Sequence, residues 1–299
     1  MNVLSLFDGI SCGQYALNKA GIHVDKYLAS EIDNNAIKIT SKNFPRTGHL
    51  GDITKIKRHA TGFLKTGTGI DQPFDTWYSE RCGYFQMPHI DLLIGGSPCN
   101  GLRPGREGLK DKNSILFFEY VRILGLLKQS NNELLFKFEN VGYINEEDKH
   151  TISNLLGTSP IRINASLVSA QNRDRYYWTN IPNVVVPENN NILLNNIIPN
   201  AKGAALRNQV TKNGTFPFLN IRKDEKSNCI VASFTKKLNG CVIDGKYRPF
   251  TVNECEVIQG LPIDYTKLDN LSDLQRIKHI GLGWSIPVAT HIFKNIPSS

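Results

Sequence analysis

Through its first 180 residues the chain alternates short apolar runs with stretches whose apolar positions recur at helical spacing. Val3–Phe7 predicts a buried strand, a glycine-containing turn over 8–13 follows, and a helix runs on to Ala20. Val24–Ser30 predicts a second strand and Asn34–Asn43 a second helix. Asp91–Ile94 predicts a strand, Ser114–Lys128 an amphipathic helix rich in Leu, Phe and Ile, and Leu134–Phe138 another strand. Two β-branched or aromatic runs, Ile163–Val168 and Tyr176–Ile181, complete the series. Strands alternating with helices predict an α/β fold with a mainly parallel sheet. Such sheets take ligands at the carboxyl ends of their strands.

Two stretches interrupt this rhythm. Lys57–His89, with the loop-like Thr66-Gly67-Thr68-Gly69 inside it, reads as an insertion between core elements. The Asn-rich Glu188–Asn196 reads as a linker. No apolar run approaches the length of a membrane span, and Met1–Asp8 reads as a strand rather than a signal peptide. The six cysteines form no C-x-x-C pair, so reduced thiols are expected and a zinc cluster is not. The net charge is +8 over 299 residues. Residues 202–248 carry ten basic and three acidic side chains, a surplus of seven that accounts for nearly all of it. That concentration suits binding to a phosphate backbone; a solvated, Lys-rich face would have the same composition.

The turn after the first strand carries Gly9 and Gly13, spaced G-x-x-x-G rather than the G-x-G-x-x-G of a pyrophosphate site. Glu31 follows Gly9 by 22 residues, at the end of the second strand, where a carboxylate can accept from both ribose hydroxyls. Asp52, in Gly51-Asp52-Ile53 at the end of a third strand, can accept from an adenine amino group. Singly these read as a turn glycine and surface carboxylates. In order, they suit a nucleoside cofactor without a diphosphate, such as S-adenosylmethionine.

The fourth strand runs into Gly95-Gly96-Ser97-Pro98-Cys99-Asn100. A lone cysteine is usually a small buried hydrophobe, but a Gly-Gly turn and a φ-fixing proline present this thiol at a strand's carboxyl end. Glu139 follows the apolar run 134–138 and is expected half-buried with a raised pKa, able to hold a proton. In Gln171-Asn172-Arg173-Asp174-Arg175, strand geometry would put Gln171, Arg173 and Arg175 on one face. Two guanidiniums there suit phosphate or carbonyl recognition; a solvated basic edge strand is the plainer alternative.

With these residues in place the chain resembles the cytosine-5 DNA methyltransferases. The matching stretches, in the family's order, are Phe7–Gly13, Glu31, Gly51–Ile53, Gly96–Asn100, Glu139–Val141, Gln171–Arg175, Arg248–Pro262 and Gly281–Ile292. Trp284 in Gly283-Trp284-Ser285, together with Pro98-Cys99-Asn100, makes it more similar to the vertebrate de novo domains and their phage relatives.

The resemblance implies a Rossmann-like methyltransferase fold and transfer of a methyl group from S-adenosylmethionine to carbon 5 of cytosine, leaving S-adenosylhomocysteine. Residues 1–180 would form the catalytic domain, 181–247 a target-recognition region, and 248–299 a segment returning to the catalytic domain. Cys99 would attack carbon 6, Glu139 would hold N3 and the exocyclic amine, and Arg175 the O2. Arg173 would anchor the Cys99 loop or a phosphate. Phe7 would stack on the adenine, with Glu31 on the ribose and Asp52 on the adenine edge. Asp8, Gly9, Ile10, Gly13, Ile32, Ile53, Pro98, Leu116, Trp284 and Ser285 would complete the cofactor pocket. Double-stranded DNA, its target base flipped out, would meet Asn100, Arg103 and Arg106 of a closing loop over 100–113. It would also meet Gln171, Arg207, Lys212, Arg222, Lys236 and Lys237. The family implies a cytoplasmic monomer in a bacterial or phage-infected cell, with a restriction endonuclease as a possible partner and no membrane or metal.

Arg103-Pro104 stands where many members carry an aromatic and a small hydroxyl residue, and the recognition region, at about 67 residues, is short. Two other readings compete. The tRNA-methylating branch typically carries Pro-Pro-Cys and Cys-Phe-Thr, whereas Ser97 precedes Pro98 and no Cys-Phe-Thr occurs. A catalytically silent DNA-binding homologue would have no need of Cys99, Glu139, Arg173 and Arg175 together.

Overall fold

In chain order the elements are β1 (Asn2–Leu6), α1 (Cys12–Lys19), β2 (Lys26–Ser30), α2 (Asn34–Asn43) and β3 (Gly48–His49). Then come β4 (Lys57–Leu64), β5 (Gln72–Ser79), β6 (Gly83–Gln86), β7 (Leu92–Gly95), α3 (Phe117–Lys128) and β8 (Leu135–Val141). These are followed by α4 (Glu146–Leu156), β9 (Ile161–Asn164) and β10 (Asp174–Thr179). The last are β11 (Lys202–Thr211), β12 (Gly214–Ile221), β13 (Leu238–Ile243), β14 (Lys246–Pro249), α5 (Val252–Gln259), α6 (Asp273–Leu282) and α7 (Ile286–Phe293). This computed structural model describes residues 1–64, 72–103, 105–211, 214–233 and 238–297.

The central sheet has seven strands in the order β3-β2-β1-β7-β8-β10-β9. The first five are mutually parallel, and β10 is antiparallel to both neighbours. The fold is therefore α/β, with a mostly parallel central sheet. From β1 the chain builds outward through β2 and β3, then crosses back to place β7 on β1's other side. That reversal opens a crevice beyond the carboxyl ends of β1 and β7. Because both faces are covered, the central strands are apolar nearly throughout: Leu92, Leu93 and Ile94 are all fully buried. One apolar cluster packs α1, α2 and the carboxyl-terminal helices α5–α7 on one face; the other packs α3 and α4 on the opposite face.

Most predicted elements lie within a residue or two of their expected ends. Two expectations need correction, and one gains detail. The run 163–168 is not one strand: Asn164 ends β9 and accepts a hydrogen bond from Ser166 N, which turns the chain into a short 3-10 segment at Ala165–Leu167. The strand expected to end near Asp52 is only Gly48–His49. The insertion over 57–89 is a three-stranded antiparallel sheet, β4-β5-β6, docked onto the domain. Its Trp77 is fully buried in the α3-side core, and Arg58 pairs with Asp75 while donating to Leu126 O of α3. The segment 66–69 lies outside the described residues.

A second sheet, β12-β11-β13-β14, spans Lys202–Pro249. The Asn-rich stretch that reads as a linker is tied to it. Lys226 Nζ donates to Ile192 O, Ser166 O and Ser169 O at 2.6, 2.7 and 3.2 Å, and Leu194 is fully buried. The basic surplus of this region is thus partly internal: Lys226 is spent on those carbonyls, Arg222 pairs with Asp224 and Arg248 with Glu254.

Candidate active site

The chain leaves β1 through two left-handed residues, Phe7 and Gly9, with φ of 58° and 59°. Glycine takes this conformation without strain. Glu31, at the end of β2, ties the turn down: Oε2 accepts from Gly9 N at 2.7 Å, while Oε1 accepts from Ile32 N and Asp33 N at 2.8 Å each. Gly13 is constrained by space, since a Cβ there would lie 2.5 Å from Ile94 Cδ1 and 3.1 Å from Trp284 Cζ3. Trp284 and Ser285 arrive from the α6–α7 junction. The Ser285 hydroxyl is buried and has no hydrogen-bond partner among the described residues. Ile32 is 71 % exposed beside this turn. A glycine cradle, an unpartnered buried hydroxyl and an open apolar side chain fit the amino-acid and adenosine parts of S-adenosylmethionine.

The β7 carboxyl end supplies the second half. Asn140 Nδ2 donates to Ser97 O at 3.2 Å, and Ser114 Oγ donates to Pro98 O at 3.3 Å. The Ser97-Pro98-Cys99 turn is thereby pinned from β8 and from the start of α3. Cys99 is partly exposed, and Arg103 Nη2 stands 4.0 Å from its sulfur. Glu139 lies within β8, 9 % exposed, with Arg175 Nε 2.9 Å from its Oε1. Burial works against the Arg175 charge, but Glu139 first, then Cys229, Tyr177 and Cys99, outweigh it and hold the guanidinium above its ordinary range. Gly96 joins the halves: a Cβ there would meet Glu139 Oε2 at 3.1 Å and Trp284 Nε1 at 3.2 Å.

Residues 1–183 and 171–298 match the C-5 cytosine-specific DNA methylase family. The chain belongs to that family. Among curated relatives it is 36 % identical over 135 residues to the DNA (cytosine-5)-methyltransferase DRM2 of Oryza sativa subsp. japonica, covering 43 % of this chain and 20 % of that protein. It is 29 % identical over 191 residues to the orphan methyltransferase M.Rho11sI of Bacillus phage rho11s, covering 59 % and 32 %. The matched parts are thus about a fifth to a third of these relatives. In fold it is similar to a DNMT2 mutant of Spodoptera frugiperda, with a TM-score of 0.63, 18 % identity and 98 % of each chain covered. It is likewise similar to the methyltransferase EhMeth of Entamoeba histolytica, with a TM-score of 0.63, 17 % identity and 99 % and 97 % covered.

For a member of the C-5 cytosine methylase family, several expected site residues sit differently. Gln171 is not on a DNA-facing surface: it is fully buried, donating to Gln259 Oε1 at 2.7 Å and accepting from Ile230 N at 3.1 Å. Arg173 reaches neither the Cys99 loop nor an open phosphate site. It is 4 % exposed, and its guanidinium donates to Gly283 O, Ile230 O and Gly281 O at 2.8, 3.2 and 3.4 Å. Both residues precede β10 and turn beneath the carboxyl-terminal segment, so their role is to clamp that segment to the sheet. Asp8 also turns inward: its carboxylate accepts from Ser11 Oγ at 2.7 Å and Tyr27 OH at 2.8 Å, and burial pushes its pKa up to about 6. The Ile10 and Ile53 side chains are buried in the core. Asp52 caps its own short turn through Thr54 N at 2.8 Å. Leu116 is partly buried at the start of α3.

Asn100, Arg103 and Arg106 are exposed on the 100–113 loop, which Leu102 and Leu109 anchor in the core. Arg207 of β11 and Arg222 line a cavity of about 220 Å³ together with Arg175, Asn172 and Cys229. Arg207 Nε is buried there without a partner among the described residues. Lys212, Lys236 and Lys237 lie outside the described residues. Sequence reading missed Lys137, which sits beneath the site on β8. Its place in an apolar run was visible; that its side chain stays inside was not.

Proposed function

We propose that the chain is a DNA cytosine-5 methyltransferase that works through a transient covalent bond from Cys99. The observation that carries this reading is the shared crevice. Gly96 of the Cys99 turn has no room for a side chain between Glu139, which pairs with Arg175, and Trp284, and Trp284 also lies against Gly13 of the glycine turn. Cytosine's carbon 5 is a poor nucleophile. Addition of the Cys99 thiolate to carbon 6 makes carbon 5 enamine-like. Glu139, hydrogen-bonding N3 and the exocyclic amine, and Arg175 at O2 offset the charge that develops in the ring. S-adenosylmethionine, when bound, supplies an electrophilic methyl group. Loss of the carbon-5 proton then expels the thiolate, and Cys99 is regenerated.

Gly9, Gly13, Glu31, Ile32, Trp284 and Ser285 would hold the donor, with Phe7 and Asp52 at the adenine. The sheet β11–β14 would be the target-recognition region, placing Arg207 and Arg222 beside Arg175 against the nucleic-acid backbone. A flipped base is required, because carbon 6 within a stacked duplex is beyond reach of a thiol at a strand end. The matched phage protein's designation as an orphan methyltransferase favours action without a restriction endonuclease. The test is transfer of label from tritiated S-adenosylmethionine to duplex DNA against tRNA, followed by bisulfite sequencing. Label in DNA at carbon 5 of cytosine is expected. Label confined to tRNA would overturn the DNA assignment, and no label in either would leave the silent-homologue reading.

A further inference from the structure

Lys137 is the third residue of β8, paired in register with Ile94 of β7, and it is fully buried. Its Nζ has no hydrogen-bond partner among the described residues. What faces it is aromatic: the Trp284 ring centroid lies 2.9 Å away and that of Tyr177 5.4 Å away. A lysine inside a central strand, with π faces in place of acceptors, is expensive to keep charged; burial pushes its pKa down to about 7. The other titratable groups bearing on it are Glu139 on its own strand and Cys12 on α1, both favouring its charge. Asp8 and Arg173 bear on Cys12, and Glu139, Arg175, Arg173 and Asp174 on Tyr177. Cys12 is pushed up to about 12 and Tyr177 higher still, both by burial, so neither ionises near neutrality. Trp284 is also the ring that closes on Gly13 and Gly96.

We propose that Lys137 is a positioning residue that sets the charge preference of the donor pocket, its ammonium behind Trp284 disfavouring a cationic sulfonium relative to the neutral thioether. This rests on the reading that the Trp284 pocket takes S-adenosylmethionine. The donor loses its positive charge on transfer and the product carries none, so repulsion from Lys137 raises the starting state and is relieved as the methyl leaves. The scale of unit charges across a partly buried site is on the order of tenfold in affinity.

Calorimetric titration of the free enzyme with S-adenosylmethionine and with S-adenosylhomocysteine, from pH 6 to 9, tests this without turnover. The sulfonium lowers the α-amino pKa of the donor relative to the product, but that difference is the same for both proteins and cancels when their Kd ratios are compared. Asp8, which titrates near 6, is common to the wild type and K137M and cancels between them. The ratio of donor to product Kd should fall about tenfold more in the wild type than in K137M as pH rises, the two proteins converging at pH 9. Equal ratios in both proteins at every pH would overturn the proposal while leaving the donor reading intact. Binding of neither ligand to the wild type would overturn the donor reading, and the proposal with it. Tryptophan emission checks the contact without any ligand: it should titrate near pH 7 in the wild type and not in K137M, and an identical titration in both overturns the proposal.

Discussion

Arg175 and Glu139 form an ion pair across the β8–β10 junction, with Nε 2.9 Å from Oε1 and both side chains largely shielded from water. Removing one member leaves the other charged in a confined place, which typically costs about 3–5 kcal/mol, whereas removing both is far milder. R175M should therefore lower stability by a few kcal/mol, and adding E139Q should restore most of it without restoring transfer. Urea denaturation checks the first part and a labelled-methyl assay the second. Stability losses that simply add would mean the pair is not coupled.

Cys99→Ala should abolish transfer and leave nucleic-acid binding, measured by gel shift, within about threefold. The sulfur is partly exposed with the Arg103 guanidinium 4.0 Å away. The partly exposed sulfur should be alkylated by iodoacetamide, followed by peptide mass spectrometry, in the wild type and not in the alanine variant. Full transfer by the alanine variant would refute the covalent route.

Gly96 has no room for a methyl group. An added Cβ would lie 2.9 Å from Glu139 O, besides its contacts with Glu139 Oε2 and Trp284 Nε1. G96A should depress kcat by about 100-fold or more, on the scale at which small misplacements of reacting groups act. It should weaken donor binding as well, because Trp284 must move. A variant with unchanged steady-state constants would show that the crevice is looser than described.

Stability should depend on pH in opposite senses through two buried groups. Lys137 gives up its proton near pH 7 when folded, while an unfolded lysine keeps it to about 10.4. The unfolded state therefore binds more protons between those values, and stability rises with pH across that window by an order of 3–5 kcal/mol. Asp8, by contrast, holds its proton to about 6 when folded and to about 3.9 when unfolded, so its contribution falls as pH rises from about 4 to 6. Urea denaturation from pH 7 to 9 should show the wild type gaining about 2 kcal/mol of stability relative to K137M, a difference in which the losses through the buried Cys12 and Cys255 thiols, pushed up to about 12 in both proteins, cancel. No gain relative to K137M would mean that folded Lys137 keeps its proton across this range, as an unfolded lysine does.

Local chemistry made much of this protein legible. The apolar runs of β1, β7 and β8 state their own burial, since a parallel sheet covered on both faces tolerates little else. The Gly9 turn, the Pro98-Cys99 step and Glu139 are consecutive in the chain with the strands that carry them, so their place at a sheet edge follows from strand ends. The same local logic misread Gln171 and Arg173. Gln171 and Arg173 precede β10 and so follow no strand alternation; they turn to the α5–α7 segment some 90 to 110 residues later, while Arg175, expected on the same face, pairs with Glu139 instead.

By itself, then, the sequence determined the order of β1, α1, β2, α2, β7, α3 and β8, the glycines of the first turn, and one thiol and one acid near the carboxyl ends of neighbouring strands. Only the tertiary structure decided which polar side chains face a ligand and which face the interior. It placed Arg173 on backbone carbonyls, Lys226 on three more, and Lys137 under an indole ring. The reason is that a polar residue's type fixes its hydrogen-bonding capacity but not the supplier of its partner. For these three the partners are brought in by chain segments distant in sequence.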